Sequence, residues 1–246
     1  MTFSALLIVG LTFVLAGMVK GIIGLGLPTV AIGLLVLVMT PAQAAAILVI
    51  PSLVTNLWQL LAGPSFGAIA RRLWLMMAGI CVGTFAGIGL LTGADPKFAI
   101  GGLGAALTVY GAVGLLGMRP SVPAGAEPWL SPLIGAATGI VTGATGVFVI
   151  PAVPYLQAIG FDKDDLVQAL GLSFTVSTVA LAAGLMQQDA FRPMEAGLSV
   201  LAVAPALAGM AAGQWIREQV SPKVFRLCFF SGLIALGGHL LFQASQ

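Results

Sequence analysis

Charge is what this chain has least of. Only 7% of its 246 residues are Asp, Glu, Lys or Arg, while 59% are apolar; a soluble domain carries about 25% charged residues. So few charges cannot coat a water-exposed surface, so a soluble globular fold is excluded and the expected solvent is a lipid bilayer. The net charge of +2 leaves no footprint for nucleic acid, and no such partner is expected. Histidine occurs once, at His239 near the end of the last apolar run. The two cysteines, Cys81 and Cys228, lie inside apolar runs with no Cys or His beside them, which excludes a disulfide framework or metal site and makes them packing residues. No His–carboxylate pair or nucleophile elbow is present, so neither an enzymatic reaction nor a cofactor is expected. Residues 1–19 have no basic region in front of them, so they read as a retained helix rather than a cleaved signal.

What is abundant is apolar sequence interrupted by glycine. Ten apolar segments can be read, at 3–18, 22–39, 42–62, 72–93, 97–117, 130–142, 146–160, 164–187, 194–216 and 223–243. About 20 residues cross a hydrocarbon core of about 30 Å. The two sets of five match in order. At an offset of 122, Gly17, Gly21 and Gly24 fall on Gly139, Gly143 and Gly146; at 125, Gln43-Ala44 falls on Gln168-Ala169 and Ser52 on Ser177. At 126, Gly83 and Gly87 fall on Gly209 and Gly213, Pro96-Lys97 on Pro222-Lys223, and Gly111 on Gly237. The expected organisation is a first transmembrane repeat over 1–117, a short cytoplasmic linker over 118–129 rich in proline, and a second repeat over 130–246.

An odd number of crossings per repeat inverts the second copy. Under that topology one side carries Arg71, Arg72, Arg119, Lys163, Arg217, Lys223 and Arg226, and the other only Lys97 and Arg192. The basic side belongs in the cytoplasm, which puts both termini in the periplasm or outside the cell. Residues 130–142 and 146–160 are short for spans, so half-depth helices meeting at Thr142–Gly146 are expected, with a counterpart break at Lys20–Gly26. The fold class is therefore all-α integral membrane protein, with two inverted repeats, each a pair of short broken or re-entrant helices plus three transmembrane helices. The rows Gly79-Gly83-Gly87 and Pro205-Gly209-Gly213 read as helix-packing faces.

The run from Gly17 to Pro28 holds the most informative side chain, Lys20. One reading lets it snorkel to a membrane surface. The other sets it at the break, where free backbone N–H groups around Gly21, Gly24 and Gly26 favour an anion and an ammonium adds a charge. The second break offers Thr142, Gly143, Thr145 and Gly146 in the same way. Two discontinuous segments at matching positions of two halves are the sequence pointer to a transporter's binding site. Ser52, Thr55, Asn56 and Gln59 share one helical stripe, and Ser173, Thr175, Ser177 and Thr178 lie in the matched segment. Hydrogen bonding between helices accounts for such residues, as does donation to an oxyanion; Ser52, Asn56, Ser173 and Ser177 join the candidate substrate set. Gln43 and Gln168 cap their helices or line the same cavity. Asp162, Lys163, Asp164 and Asp165 read as a solvated helix start, with Asp164 or Asp165 open to a part in proton coupling.

Taken in order, Lys20-Gly-x-x-Gly-x-Gly, Thr142-Gly143-Ala144-Thr145-Gly146-Val147, Pro151, Tyr155-Leu156-Gln157 and the Gln168-to-Ser177 helix resemble the TauE/SafE sulfite exporters over nearly the whole chain. Leu27-Pro28 departs from the resemblance, since many relatives continue the glycine run there. The resemblance implies a multi-pass secondary transporter of the cell inner membrane that moves a small anionic substrate such as sulfite, a sulfonate, sulfoacetate or thiosulfate. A proton or sodium ion is the coupling partner to consider, and a homodimer is compatible with the reading. The alternative is a channel or structural membrane subunit whose glycines serve only packing.

Overall fold

The chain folds into helices because apolar segments in lipid must satisfy every backbone group internally. The computed structural model describes residues 3–93, 95–117, 121–217, 219 and 221–246. Met118, Arg119 and Pro120, part of the expected linker and of the basic count, lie outside the described residues. Among the described residues eleven α-helices run in order: α1 (Phe3–Ile23), α2 (Leu27–Leu35), α3 (Pro41–Leu61), α4 (Phe66–Thr92), α5 (Pro96–Leu116), α6 (Glu127–Thr145), α7 (Ala152–Ala158), α8 (Lys163–Gln187), α9 (Pro193–Leu201), α10 (Val203–Arg217) and α11 (Pro222–Ala244). Among the described residues seven stretches are long and apolar enough to cross a membrane, α9 and α10 counting together as one. The molecule is an all-α, multi-pass membrane protein.

Local sequence sets most helix ends. Thr40 and Gln43 form a capping box at the start of α3, with Pro41 at the first turn, where its missing N–H costs nothing. Gln43 is thus a cap. Gln168 does a different job in the matching place. Its amide donates to the carbonyls of Leu60 (2.7 Å) and Gly63 (2.6 Å), and its oxygen accepts from the Ser65 N–H (2.9 Å), closing the end of α3. Asp95 accepts from the Lys97 N–H and starts α5. The ninth expected segment, 194–216, is not a single helix, since a break at Ala202 separates α9 from α10. Pro205 explains the break, because it lacks the N–H that would bond back to Leu201 and its ring crowds that carbonyl. The matching position in α4 is Gly79, and α4 runs unbroken through 27 residues.

The glycine rows make the closest contacts in the molecule. A Cβ placed on Gly79, Gly83 or Gly87 of α4 would stand under 3 Å from the α6 carbonyls of Pro132, Ala136 or Ile140. Gly135, Gly139 and Gly143 of α6 lie as close to the carbonyls of Met76, Ile80 and Thr84. Helices α1 and α10 repeat the arrangement, with Gly17 and Gly21 on the carbonyls of Ala206 and Met210, and Gly209 and Gly213 on those of Val14 and Met18. Shifting α1 residues by 122 and α4 residues by 126 turns each of these α1–α10 contacts into an α6–α4 contact. Helix α1 therefore packs on α10 as α6 packs on α4.

The remaining equivalent helices meet directly. Along the pair α3 and α8, Gly63 lies by Gln168, Leu60 by Gly171 and Asn56 by Thr178, so the two run antiparallel. Along α5 and α11, Gly104 lies on Gly237 and Gly111 on Phe230, again antiparallel.

One ion pair fastens α4 to α6. Arg72 donates to both oxygens of Glu127 (2.6 and 2.8 Å) and to the Ile159 carbonyl (2.7 Å), with Phe161 stacked 4.4 Å from its guanidinium. The Arg72 side chain is 37% exposed, so water screens part of the attraction. Arg72→Gln should cost about 1 kcal/mol, a few degrees in the unfolding midpoint of a chain this size. An unchanged midpoint in a detergent melt would show that the pair contributes nothing.

Candidate functional site

The short helices differ from expectation in a way that decides which groups are available. The first member of each pair is longer than expected. Helix α6 is 19 residues long and runs through Thr142 and Gly143 to Thr145, and α1 runs through Lys20 and Gly21 to Ile23. Only the second member of each pair is short, at nine residues in α2 and seven in α7. The breaks thus begin later, at Gly24–Gly26 and at Gly146, and these three glycines carry the left-handed φ values of 78°, 98° and 74° that favour glycine. Gly21 and Gly143 lie inside helices, with their N–H groups in the helical ladder and their α-carbons against Met210 and Thr84. They are packing glycines, and the expectation of free N–H groups there is corrected. Gly24 and Gly26 lead into the start of α2, where no side chain caps the free N–H groups of the first turn.

Lys20 does not snorkel. It is 5% exposed, and its ammonium donates to Thr55 Oγ1 (3.1 Å) and to Asn56 Oδ1 on α3. Two of its three N–H donors are thereby used. Both partners are neutral, and among the described residues no carboxylate pairs with it. A buried ammonium without a countercharge is costly, which makes Lys20 a candidate for a functional position. By helical rise, Asn56 lies about 8 Å past the midpoint of α3, so the group sits toward the Leu61 end of the helix rather than at its centre.

The stripe on α3 faces inward as its spacing suggests, with Ser52, Thr55, Asn56 and Gln59 all buried. Asn56 joins the helices at this level by donating to Thr178 Oγ1 of α8 (3.4 Å). Gln59 donates to the Val167 carbonyl (3.1 Å). Ser173 and Ser177, four residues apart on one face of α8, are fully buried. The hydroxyls of Ser52, Ser173 and Ser177 have no hydrogen-bond partner. A buried hydroxyl without a partner costs about 1–3 kcal/mol, so these three on α3 and α8 are costly as they stand.

Thr142 and Thr145 are arranged otherwise. Their hydroxyls donate back to the Thr138 and Val141 carbonyls (2.7 Å each), and Thr145 Oγ1 accepts from the Val147 N–H (3.2 Å). The chain after Gly146 is apolar and fully buried at Val147, Phe148 and Val149. The second break is thus packed with apolar side chains.

Sequence reading missed two groups. Thr29, at the start of α2, is fully buried with an unpartnered hydroxyl. Its signal was its position, a lone hydroxyl just past the Gly24–Pro28 break. Glu195 on α9 is 8% exposed with Oε2 unpartnered, and one turn on Ser199 accepts from the Ile50 N–H of α3 (2.9 Å). Nothing in its local sequence separates it from a loop acid. Asp164, by contrast, is exposed in the first turn of α8, as a solvated helix start requires.

Comparison with known proteins supplies a family. A family model described as Sulfite exporter TauE/SafE matches residues 9–240. No curated protein and no solved structure matches the chain.

Proposed function

The chain belongs to the sulfite exporter TauE/SafE family, a family of membrane anion transporters, and from that premise we propose that it is a secondary carrier whose substrate anion binds at Lys20. The observation that carries this reading is a buried ammonium bonded only to neutral oxygens. An anion supplies the missing charge. The unpartnered hydroxyls of Ser52, Ser173, Ser177 and Thr29, with the uncapped start of α2 behind Gly24 and Gly26, supply neutral donors for its oxygens. Sulfite or a sulfonate, with three oxygens on one sulfur, suits such a set. The αL turn at Gly146 shapes the opposite wall, and Thr142 and Thr145 join the substrate by turning their hydroxyls away from their own helix.

Transport proceeds by alternating access, with the two halves rocking about this site. The antiparallel pairing of α3 with α8 and α5 with α11, and the exchanged α1–α10 and α6–α4 contacts, support inverted repeats over 1–117 and 130–246. In keeping with its family, the chain sits in the cell inner membrane; on the positive-inside rule both termini lie outside, and a proton or sodium ion drives the cycle.

Inversion has a direct check. Ser65 and Asp189 occupy matching loops of the two halves. With Cys81 and Cys228 replaced by alanine, an impermeant thiol reagent added to intact cells should label D189C and spare S65C. Labelling of both from one side would end the inverted-repeat reading.

Ser177→Ala tests the hydroxyls. Removing a donor that has no partner should leave the unfolding midpoint within about 0.5 kcal/mol of wild type. It should weaken sulfite binding by about tenfold, the value of one lost hydrogen bond to a charged group. Unchanged affinity would remove Ser177 from the site.

A further inference from the structure

The site at Lys20, on the reading just proposed, also restricts the charge of what it accepts. Among the described residues two ionisable side chains with formal charge are buried, Lys20 and Glu195, and they carry opposite signs. They do not neutralise each other, because Lys20 is bonded to Thr55 and Asn56 while Glu195 Oε2 has no partner. The donors assigned to the anion beside Lys20 are hydroxyls and backbone N–H groups, which stabilise oxygen without adding a full charge.

One ammonium balances one negative charge. A second negative charge on the guest would stay uncompensated in a low-dielectric interior, where such charges are most costly. We propose that the Lys20 site selects the singly charged form of its substrate, hydrogen sulfite or a sulfonate R–SO3−, and rejects the doubly charged sulfite ion. Three sulfur-bound oxygens then meet hydroxyls and N–H groups, and the single charge meets Lys20.

No other positive charge is buried with Lys20 among the described residues. Helix α2, packed against α1, and α3, which holds Thr55 and Asn56, carry no titratable side chain; α10 carries only Arg217, exposed at its last residue; α8 carries Lys163, Asp164 and Asp165 in its first turn; α9 contributes Glu195; α5 and α11, packed against α2, carry the exposed basic residues Lys97, Lys223 and Arg226 near their starts.

Sulfite makes the test convenient, because it loses its last proton near neutral pH while methanesulfonate stays a monoanion throughout. Binding of each to the purified protein can be read from the ligand-induced rise in unfolding midpoint between mildly acidic and mildly alkaline pH. The ratio of the two apparent affinities cancels any titration of the protein itself. The proposal expects sulfite to lose about tenfold against methanesulfonate for each pH unit in the alkaline range, following the hydrogen sulfite fraction. Sulfate and thiosulfate, dianions throughout, should give no shift. Ser177→Ala should weaken both probes and leave their ratio unchanged.

The inference rests on Lys20 holding the anion, and the two can fail separately. If neither probe binds, or if both bind equally well to Lys20→Met, the site reading falls and takes charge selection with it. If binding requires Lys20 yet the ratio stays flat or favours sulfite as pH rises, or sulfate binds as tightly as methanesulfonate, the site stands and charge selection is overturned.

Discussion

Sulfite flux should fall by about a hundredfold or more in Lys20→Met, with the protein still folded. The change removes a hydrogen bond from a charged donor, worth about 1.5–3 kcal/mol, together with the only buried positive charge among the described residues. Each 1.4 kcal/mol is tenfold, so the donor alone accounts for one to two orders of magnitude. The fold is expected to survive for three reasons. Methionine matches the lysine stem in length and is apolar, and a buried charge disappears. Thr55 keeps its bond to the Pro51 carbonyl (2.9 Å), and Asn56 keeps its bond to Thr178. Lys20→Arg should not rescue flux, because a planar fork of five donors does not fit a pocket built for three. Flux in proteoliposomes, with a monodisperse elution profile as the control for folding, measures this. Wild-type flux in the methionine variant would remove Lys20 from the site.

Gly143→Leu should abolish the folded protein. A Cβ there would overlap the Thr84 carbonyl and press on the Ile88 N–H, both backbone groups in the middle of α4. A side-chain neighbour could turn aside; a helix backbone cannot, so α4 and α6 must separate. The expected cost exceeds about 4 kcal/mol, beyond the usual range for point changes. Gly21→Leu should do the same, since it meets Met210 in the matching place between α1 and α10. At Gly10 and Gly232 no atom stands within 4 Å of where a Cβ would lie, and leucine at either should be tolerated. The yield of monodisperse protein separates the two classes. A folded Gly143→Leu variant would contradict the close packing of α4 on α6.

These two substitutions also mark what the sequence could and could not tell. Scarce charge and glycine rows spaced by four made the all-helical membrane fold and its packing faces readable, because spacing of four is itself a geometric statement. Lys20 and the Ser52–Gln59 stripe stood out as polar groups in apolar runs, where a polar residue needs a reason. Which glycines bend the chain was not readable. Gly21 packs against a neighbour and Gly26 turns through φ 98°, yet both are written with the same letter, and only the neighbouring helix tells them apart. The breaks were therefore expected several residues early and the helices α1 and α6 too short. The kink at Ala202 was hidden for a related reason, since Pro205 acts on a carbonyl four residues behind it. Thr29 and Glu195 gained meaning only from burial without a partner, which no local pattern encodes.

A carrier of this kind exposes a single anion site at Lys20 first to one face of the membrane and then to the other. Counterflow separates that from a channel or a packing subunit. Proteoliposomes loaded with unlabelled sulfite are diluted into a trace of labelled sulfite at equal pH and potential. A carrier predicts a transient accumulation of label above the outside concentration, absent in Lys20→Met. Label that only equilibrates, without overshoot and without saturation as sulfite is raised, would contradict it.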